Sequence, residues 1–584
     1  MIGIACLALL VAPSADASFQ SLVEREWERQ LGRNPVWASL LGERRFAGRW
    51  DDVRPVALAR EAETDRRVRG ELEAIDSSAL SVENRLNHDL LRRAYTDAVE
   101  GHDAGAHLLW MSQQQGLPEG LDQPPGVHAL EELGPSLAFA DASDYEAWLT
   151  RLRTLPDYVA GASELLRGGI RAGRLHPRLV VDRVVAVLDA QLAADPATGG
   201  FYEPFTRFPA VVPPAEQARL AGAGRAAIDA AVRPALRRFR EFLATEYRTA
   251  APEVGGLGRQ GGDTLYRFLV RHHTTTGMTP DEIHDLGLRE VARLLEEMEA
   301  VKTKAGFDGP LSAFFEHLRT DPRFFHRDPQ GLLTAYRSLA KSVDPRLVKL
   351  FGRLPRMPYG VEPTPEAQAP HATTGFYFPG APDGSRPGTY LVNLYRPEMR
   401  PRWEMVPLTL HEAVPGHHLQ VSLAAELTDL PAFRRLGYFV AYGEGWGLYS
   451  EWLGHELGLY ADPYDHFGQL AWEIWRAVRL VVDTGMHAKG WTRAQAIRYF
   501  LENSPRPELD VVNEVDRYLA TPGQALAYKI GQLRILALRR RAEAALGPRF
   551  DVRAFHDQVL GAGSLPLDLL EARLDAWIAE RRGN

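Results

Sequence analysis

The segment 411–418 reads His-Glu-Ala-Val-Pro-Gly-His-His and combines residue types that do metal chemistry. Imidazole nitrogens and carboxylate oxygens are common zinc ligands in proteins. In the usual zinc-hydrolase motif, two histidines four residues apart lie on one helical face. The glutamate after the first histidine then acts as a general base toward a metal-bound water. Here Pro415 occupies the fourth position after His411, and the histidines follow at the sixth and seventh. The residue types predict metal-assisted hydrolysis, although the spacing is unusual.

A regular helix cannot place either of these later histidines beside His411. The sixth position is rotated by about 240° and the seventh lies about 10 Å along the axis. Pro415 cannot donate a hydrogen bond to the His411 carbonyl, and Gly416 tolerates unusual backbone dihedrals. We therefore expect the helix to bulge here and to bring His417 to the place of a regular second ligand. The alternative is a simple helix break followed by two surface histidines.

Several segments of the chain together resemble one bacterial family. The pattern His-Glu-x-x-Pro-Gly-His-His-x-Gln at 411–420 is similar to the hallmark of the bacterial "domain of unknown function 885" family. Five further segments agree with it: His-Thr-Thr at 273–275, Gly-x-Tyr-x-x-Asn at 388–393, Glu-Gly-Trp-Gly-Leu-Tyr-x-Glu at 444–451, and the regions 479–487 and 522–531. The likeness covers nearly the whole chain after residue 17.

The family resembles the gluzincin metallopeptidases, in which two histidines and a downstream glutamate hold zinc. Helical relatives such as angiotensin-converting enzyme, thimet oligopeptidase and dipeptidyl-peptidase III place a glycine directly before the second histidine ligand. This likeness favours His417 over His418 as the partner of His411. It also implies one Zn²⁺ per chain and a general-base role for Glu412.

The third ligand is expected to be an acid on a following helix. Glu444 and Glu451 are seven residues apart, so they lie on one helical face but two turns from each other. One ion cannot reach both. Glu444 is the expected ligand because glycines flank it and allow close approach to the motif helix. Glu451 is then either a partner of a ligand histidine or a solvent-exposed carboxylate.

Arg479, Asp483 and His487 are spaced by four residues and share one helical face. We expect Asp483 to orient a neighbour and His487 to donate a hydrogen bond to the oxyanion that develops during hydrolysis. Arg479 is a candidate cation for a substrate carboxylate. The alternative is a ladder of surface ion pairs.

Tyr528 and Lys529 form the last candidate pair. The resemblance to helical peptidases implies that the Tyr528 hydroxyl stabilises the tetrahedral intermediate and that Lys529 holds a substrate carboxylate. The alternatives are packing and a solvated surface. The segment 389–394 is the best strand candidate, and we expect it to be a sheet edge on which Tyr390 and Asn393 bind an extended substrate. It is otherwise a buried structural strand.

The rest of the sequence is mainly helical in pattern. Apolar residues recur at three- and four-residue spacing in Leu58–Ile75, Tyr145–Leu166 and Ala215–Tyr247. Thr279 precedes a proline and two acids, a helix-start signal that predicts a helix to Val301. The sequence predicts a mostly α, metallopeptidase-like fold with a small β element beside the motif helix. We divide it into an N-terminal helical region, 18–250, and a catalytic region, 251–584.

Composition and charge exclude other classes of protein. The 584 residues carry a net charge of −8, so no basic excess favours nucleic-acid binding. The single cysteine, Cys6, lies in an apolar N-terminal run followed by Ser-Ala-Asp-Ala at 14–17. This pattern predicts a signal peptide at 1–17, although no Lys or Arg precedes the run. Cys6 is a weaker candidate for lipidation. No later apolar stretch is long enough for a membrane span.

The sequence therefore predicts an exported zinc peptidase, periplasmic or secreted, that cleaves short peptides, with carboxypeptidase-type cleavage as one form. Two alternatives belong to other classes. One is a metal- or peptide-binding protein of the same fold without catalysis, and the other is a structural protein without a metal. The intact Glu412 beside His411 argues against a decayed site.

Overall fold

The computed structural model describes residues 14–111, 125–253, 255–260, 262–366, 369, 373–382, 384 and 386–583. Most of these residues are helical, and they include one three-stranded sheet. The predicted mostly α fold is therefore confirmed. Residues 1–13 of the predicted signal peptide, with Cys6, lie outside the described residues. Among the described residues, no helix has the length and apolar character that crossing a membrane requires.

The first part of the chain forms ten helices: α1 (Ala15–Arg33), α2 (Pro35–Leu40), α3 (Pro55–Glu73), α4 (Val82–Ala104), α5 (Leu133–Ser136), α6 (Ala142–Ala172), α7 (Arg178–Ala193), α8 (Pro214–Ala227), α9 (Arg233–Phe242) and α10 (Arg248–Ala250). Two wide π turns, Ile228–Val232 and Leu243–Tyr247, join the last three helices into one rod. This rod contains the helical segment predicted at Ala215–Tyr247.

Most of these helices share one hydrophobic core, which is built from residues between 36 and 251 around α6. Helix α4 also reaches the C-terminal helices, because Leu90 lies in the same core as Trp446 and Ile535. Arg93 of α4 forms an ion pair with Asp568. The two parts of the chain are thus packed directly together, and the boundary at residue 250 stays a prediction.

Fourteen helices follow: α11 (Asp263–Thr274), α12 (Pro280–Lys304), α13 (Leu311–Thr320), α14 (Pro329–Val343), α15 (Met405–Glu412), α16 (His417–Ala425), α17 (Ala432–Leu436), α18 (Val440–Leu453), α19 (Pro463–His487), α20 (Arg493–Glu502), α21 (Glu508–Ala520), α22 (Ala527–Leu546), α23 (Val552–Leu560) and α24 (Leu567–Gly583). Helix α12 begins as predicted. The Thr279 side chain accepts from the Glu282 N–H, and the Glu282 carboxylate accepts from the Thr279 N–H.

The sheet consists of β1 (Tyr359–Pro363), β2 (Gly375–Phe378) and β3 (Gly388–Val392) in the order β1-β3-β2. Strand β3 pairs in parallel with β1 and antiparallel with β2. The predicted strand therefore exists, but the expectation that it is a sheet edge is wrong. Its main-chain groups already serve two neighbouring strands. The sheet packs against α15 through Tyr390, Val392 and Leu408, which confirms the small β element beside the motif helix.

Helices α15, α18, α19 and α22 position the candidate site, and close helix contacts depend on glycine. A Cβ on Gly445 of α18 would lie 2.5 Å from the Gly531 Cα of α22. A Cβ on Gly531 would lie 1.9 Å from the Ala441 carbonyl oxygen. Side chains at either position would separate these two helices. Helix α19 is buried along most of its length and packs against both α12 and α15.

Candidate metal centre

The motif helix is interrupted where Pro415 and Gly416 predict it. Helix α15 ends at Glu412, and α16 begins at His417. The chain turns so sharply that a Cβ on Gly416 would lie 1.9 Å from the His411 carbonyl oxygen. The Trp446 indole N–H donates to the Pro415 carbonyl at 2.8 Å. Glycine at 416 is therefore required by the close approach, and α18 holds the turn from the other side.

This turn brings His417 to His411 and Glu444. Their ligand atoms lie within 4.8 Å of one another, the one such group of metal-ligating side chains found in the part of the chain that the structure describes. The Glu444 Oε2 atom lies 3.4 Å from the Nε2 atom of His411 and 3.6 Å from that of His417. The two imidazole rings are nearly perpendicular, at 88°.

These distances suit a tetrahedral ion. Two ligand atoms about 2.0–2.2 Å from one Zn²⁺ at a tetrahedral angle lie about 3.4 Å apart. The Glu444 Oε2 atom is buried and accepts no hydrogen bond of normal geometry. The donor set of two imidazoles and one carboxylate, with one oxygen left unpaired, therefore fits a catalytic zinc site with an open fourth position.

Glu451 lies on the other side of the His411 ring. Its Oε1 atom is 2.8 Å from His411 Nδ1, and its side chain is fully buried. This contact directs the Nε2 atom of His411 toward Glu444 and His417. Gly447 allows the approach, because a Cβ there would lie 2.7 Å from the His411 ring. The structure thus brings Glu444, and not Glu451, into the candidate ligand group, and Glu451 orients the His411 ring.

His418 points away from this centre. Its Nδ1 atom accepts a hydrogen bond from the Tyr377 hydroxyl at 3.1 Å, and its Nε2–H donates to the Met357 carbonyl at 3.1 Å. Burial lowers the pKa of His418 to about 4. Both ring nitrogens are engaged between α16 and the sheet. Of the two adjacent histidines, the structure brings His417 to the cluster.

Glu412 is held by the sheet. Its Oε2 atom accepts a hydrogen bond from the Tyr377 N–H of β2 at 2.9 Å. Burial raises the pKa of the Glu412 carboxyl, and the nearby charge of Glu444 adds to this, although His411 and His417 oppose it. A carboxyl with a raised pKa is suited to accept a proton and to return it.

Protons and cations compete for the same cluster. Burial alone would lower the pKa of His411, but the Glu444 and Glu451 carboxylates raise it to about 9. Burial alone would raise the pKa of Glu444, whereas His411 and His417 hold it well below its usual range. Glu444 is therefore ionised, as a metal-binding carboxylate must be, and a metal ion that binds at His411 must displace the proton that the raised pKa retains.

Tyr528 lies near this centre and contacts Arg479. The Tyr528 ring is 4.5 Å from the guanidinium carbon of Arg479 and 5.8 Å from that of Arg476. Burial and the charge of Glu444 raise the pKa of the Tyr528 hydroxyl to about 12, so the hydroxyl is a proton donor at neutral pH. Arg479 is anchored to the Glu514 carboxylate at 3.0 Å.

The structure contradicts the predicted role of His487 as a donor to the oxyanion. Its Nδ1 atom accepts from the Leu257 N–H at 3.0 Å, and its Nε2–H donates to the Tyr518 carbonyl at 3.0 Å. It lies eleven residues after Arg476 on α19, which is about 16 Å along the helix. Neither nitrogen is available to an oxyanion. Asp483 likewise has a structural role, since it accepts a hydrogen bond from the Tyr266 hydroxyl at 2.6 Å.

The structure also contradicts the predicted role of Lys529 as a cation for a substrate carboxylate. Its ammonium donates to Glu473 at 2.5 Å and to the Gln532 side chain at 2.8 Å, and it lies 3.1 Å from a Glu290 carboxylate oxygen. The side chain is fully buried. Three partners use its three N–H groups, so Lys529 joins α12, α19 and α22 instead of binding a substrate.

Tyr390 and Asn393 do not have their predicted role of binding an extended substrate. Tyr390 is fully buried and packs edge-on against Tyr336 at 5.8 Å. Asn393 donates to the carbonyls of Ala369 and Thr373 at 2.7 and 3.1 Å. Both side chains therefore support the sheet and its loop, as the structural alternative for this strand predicts.

Other residues near the centre were not predicted from the sequence. Arg476 and Trp472 lie on α19, and the Trp472 ring is 6.4 Å from the His411 ring. Arg506 approaches from the loop between α20 and α21. A signal existed for Arg476, which precedes Arg479 by three residues on one helix. None existed for Arg506, because loop residues have no periodicity.

Comparisons with known proteins agree on one family. A family model described as "Bacterial protein of unknown function (DUF885)" matches residues 35–574. Two solved structures are similar to the chain, and both are described as a "putative lipoprotein". The one from Colwellia psychrerythraea is 26% identical, with a TM-score of 0.90 over 97% of this chain and 100% of that one. The one from Shewanella oneidensis shares the fold, with 18% identity and a TM-score of 0.70 over 95% and 99%.

A comparison with curated proteins finds no match. The family match nevertheless spans nearly the whole chain and includes every residue of the metal-ligating cluster and its surroundings. The chain belongs to the DUF885 family of bacterial proteins of unknown function.

Proposed function

We propose that this protein is a zinc-dependent hydrolase that cleaves peptide bonds. The observation that carries the proposal is the geometry of three side chains: Glu444 Oε2 lies 3.4 and 3.6 Å from the Nε2 atoms of His411 and His417. The next residue after His411 is an acid, Glu412, with a raised pKa. The candidate ligand His411 and the candidate base Glu412 are thus consecutive residues, as in the gluzincin motif.

His411, His417 and Glu444 would hold the metal. A Zn²⁺ ion there supplies an activated water and polarises the scissile carbonyl. Glu412 takes a proton from the attacking water and delivers it to the leaving amine. The Tyr528 hydroxyl donates a hydrogen bond to the oxyanion of the tetrahedral intermediate.

Strand β2 is the sheet edge nearest to Glu412. It pairs with β3 on one side, and on its other side the Tyr377 N–H reaches the Glu412 carboxylate. An extended peptide substrate bound along β2 would place a carbonyl near Glu412. The proposed substrate edge is therefore β2, whereas the sequence predicts β3 as that edge.

Export is part of the same proposal. The pattern at residues 1–17 predicts a signal peptide, and both solved structures are described as a "putative lipoprotein". A periplasmic or secreted location supports a role on short peptides outside the cytoplasm. Lipidation at Cys6 is the alternative form of export, because removal of residues 1–17 would also remove this cysteine.

Metal content of the purified chain tests the centre. We expect about one zinc ion per chain in the parent protein after reconstitution, measured by mass spectrometry. His411→Ala and Glu444→Ala should lose it, because each removes one of three ligands. His418→Ala is the matched control and should keep it, since His418 faces Met357 and Tyr377.

A peptide library with quenched fluorophores then tests turnover. Zinc-dependent cleavage that a chelator abolishes supports the proposal. A parent chain that takes up no zinc contradicts it. Stoichiometric zinc without cleavage of any library member favours the binding protein of the same fold.

A further inference from the structure

Three guanidinium groups surround one indole ring beside the candidate metal centre. The guanidinium carbons of Arg476, Arg479 and Arg506 lie 4.5, 4.5 and 4.1 Å from the centre of the Trp475 ring. All three arginines are buried, with exposed fractions of 3%, 3% and 6%. Like charges repel strongly where water is excluded, so this group attracts anions.

The acids around this arginine cluster neutralise it only in part. Arg479 lies 3.0 Å from Glu514, but Glu514 also pairs with Arg517 at 3.0 Å. Arg476 lies 3.7 Å from Glu451, whose nearer partner is the His411 ring. The acids are therefore shared with other cations.

Arg506 has one acidic partner of its own. It lies 3.3 Å from Glu404, at the start of the motif helix. Two of the three arginines thus share their acids with other cations, and Arg506 has a single acid at ion-pair distance.

Four N–H positions of the cluster have no hydrogen-bond partner. They are Nε of Arg476, Nη1 of Arg479, and Nε and Nη2 of Arg506. Nearly all buried donors in folded proteins are paired, and an unpaired one costs about 1–3 kcal/mol. Four unpaired donors on three neighbouring cations indicate a place prepared for a ligand with several acceptor atoms.

The cluster is continuous with the metal centre. The Trp472 ring lies 4.3 Å from the Arg476 guanidinium carbon and 6.4 Å from the His411 ring. Tyr528 contacts Arg479, and the charge of Glu444 raises the pKa of the Tyr528 hydroxyl. The Arg476 guanidinium carbon is therefore at most about 11 Å from the His411 ring, a distance that about three extended peptide residues of about 3.5 Å each can cover.

We propose that Arg476, Arg479 and Arg506 form the binding site for a carboxylate of the substrate. A carboxylate accepts paired hydrogen bonds from planar guanidinium groups, and its oxygens match the unpaired donors. The inference rests on the proposed hydrolase function and adds its substrate class. A peptide anchored in this way presents one of its last few peptide bonds to His411, His417 and Glu444.

Binding of matched peptides tests the carboxylate site without turnover. The zinc-loaded Glu412→Gln protein is titrated by calorimetry with an N-acetylated tripeptide as its free acid and as its C-terminal amide. A third peptide is an amide with glutamate as its last residue. We expect the free acid to bind at least tenfold more tightly than the neutral amide.

Substitution of the cluster should remove this preference. Arg476→Gln and Arg506→Gln in the same background should bind acid and amide within about twofold of each other. Arg539→Gln is the matched control, because Arg539 is also buried but its partners Glu456 and Glu543 satisfy it. It should keep the tenfold preference. If the glutamine variants do not fold, Arg506→Lys retains the charge, loses the planar fork, and should reduce the preference.

The outcomes separate this inference from the proposed function. Equal affinity for acid and amide in the parent background overturns the carboxylate site, even when zinc and turnover are present. Unchanged preference in folded Arg476 and Arg506 variants overturns it as well. Tight binding of the glutamate amide supports the site and identifies a side-chain carboxylate as its ligand. A preserved acid preference in a chain without zinc or turnover contradicts the hydrolase and leaves the carboxylate site supported.

Discussion

At the scale of single residues, Glu412 and Glu451 show how position divides the work of two buried carboxylates. Glu412 accepts one backbone N–H from β2, and its raised pKa leaves it able to exchange a proton. Glu451 is bonded to His411 Nδ1 at 2.8 Å and is fully buried. The first carboxylate suits proton transfer, and the second fixes the orientation of a ligand.

Glu412→Gln should reduce turnover by at least about a thousandfold, because the amide cannot accept the proton of the attacking water. Zinc content should stay near one per chain, since Glu412 is not in the ligand group. Turnover of a zinc-loaded sample and its metal content are measured together. Glu426→Gln, which removes a carboxylate that pairs with Arg356 at the end of α16, is the control and should keep activity. Activity retained in Glu412→Gln would exclude the general-base role.

At the scale of secondary-structure elements, the decisive feature is the interruption between α15 and α16. It shortens the path from His411 to His417, so that six residues of separation serve where a regular helix uses four. Gly447 lets α18 approach the His411 ring, so that Glu444 reaches the histidines, and Gly445 and Gly531 let α22 pack directly against α18.

Gly416→Ala should disrupt the centre, because its Cβ would lie 1.9 Å from the His411 carbonyl oxygen. We expect loss of zinc binding and a fall of about 1–3 kcal/mol in the free energy of unfolding. Gly70→Ala is the matched control. Gly70 lies within α3 with no atom within 4 Å of the added Cβ, so the change should stabilise the chain by about 1 kcal/mol. Urea unfolding and zinc titration measure both effects. Normal zinc binding in Gly416→Ala would contradict the role of the turn.

At the scale of the whole molecule, buried histidines tie stability to pH. His176 and His556 are 1% and 0% exposed, and burial lowers the pKa of each to about 3. His556 donates to the Leu350 carbonyl and contacts the Tyr449 hydroxyl. The unfolded chain takes up protons at these rings below pH 6.5, but the folded chain does not. Stability is therefore complete above pH 6.5 and is lost as pH falls.

Each such histidine should cost about 1.4 kcal/mol at pH 5.5 relative to pH 7.5. The two together lower the free energy of unfolding by about 3 kcal/mol, measured by urea unfolding of the zinc-loaded chain. In His556→Gln the amide can replace the hydrogen bonds without titrating, so the loss between the two pH values should be smaller by about 1.4 kcal/mol. An identical pH dependence in parent and variant would contradict this account.

Local chemistry made several features predictable from the sequence. Helix-start signals at Thr279, apolar spacing in Ala215–Tyr247, and the helix-breaking pair Pro415-Gly416 act within a few residues of themselves. The structure has each of them. The cluster of His411, His417 and Glu444 follows from residue type, the local turn and a likeness to known peptidases, and it is present as one group of ligating atoms.

Tertiary structure alone decided which side chains remain available. His487 and Lys529 have the chemistry for a site, but backbone carbonyls, carboxylates and amides from distant segments occupy their polar atoms. Strand β3 became central because β2 paired with it from outside. Arg476 and Arg506 meet at Trp475 from separate elements. Residue type and short-range spacing specify what a side chain can do, whereas burial and long-range pairing determine which partners it has.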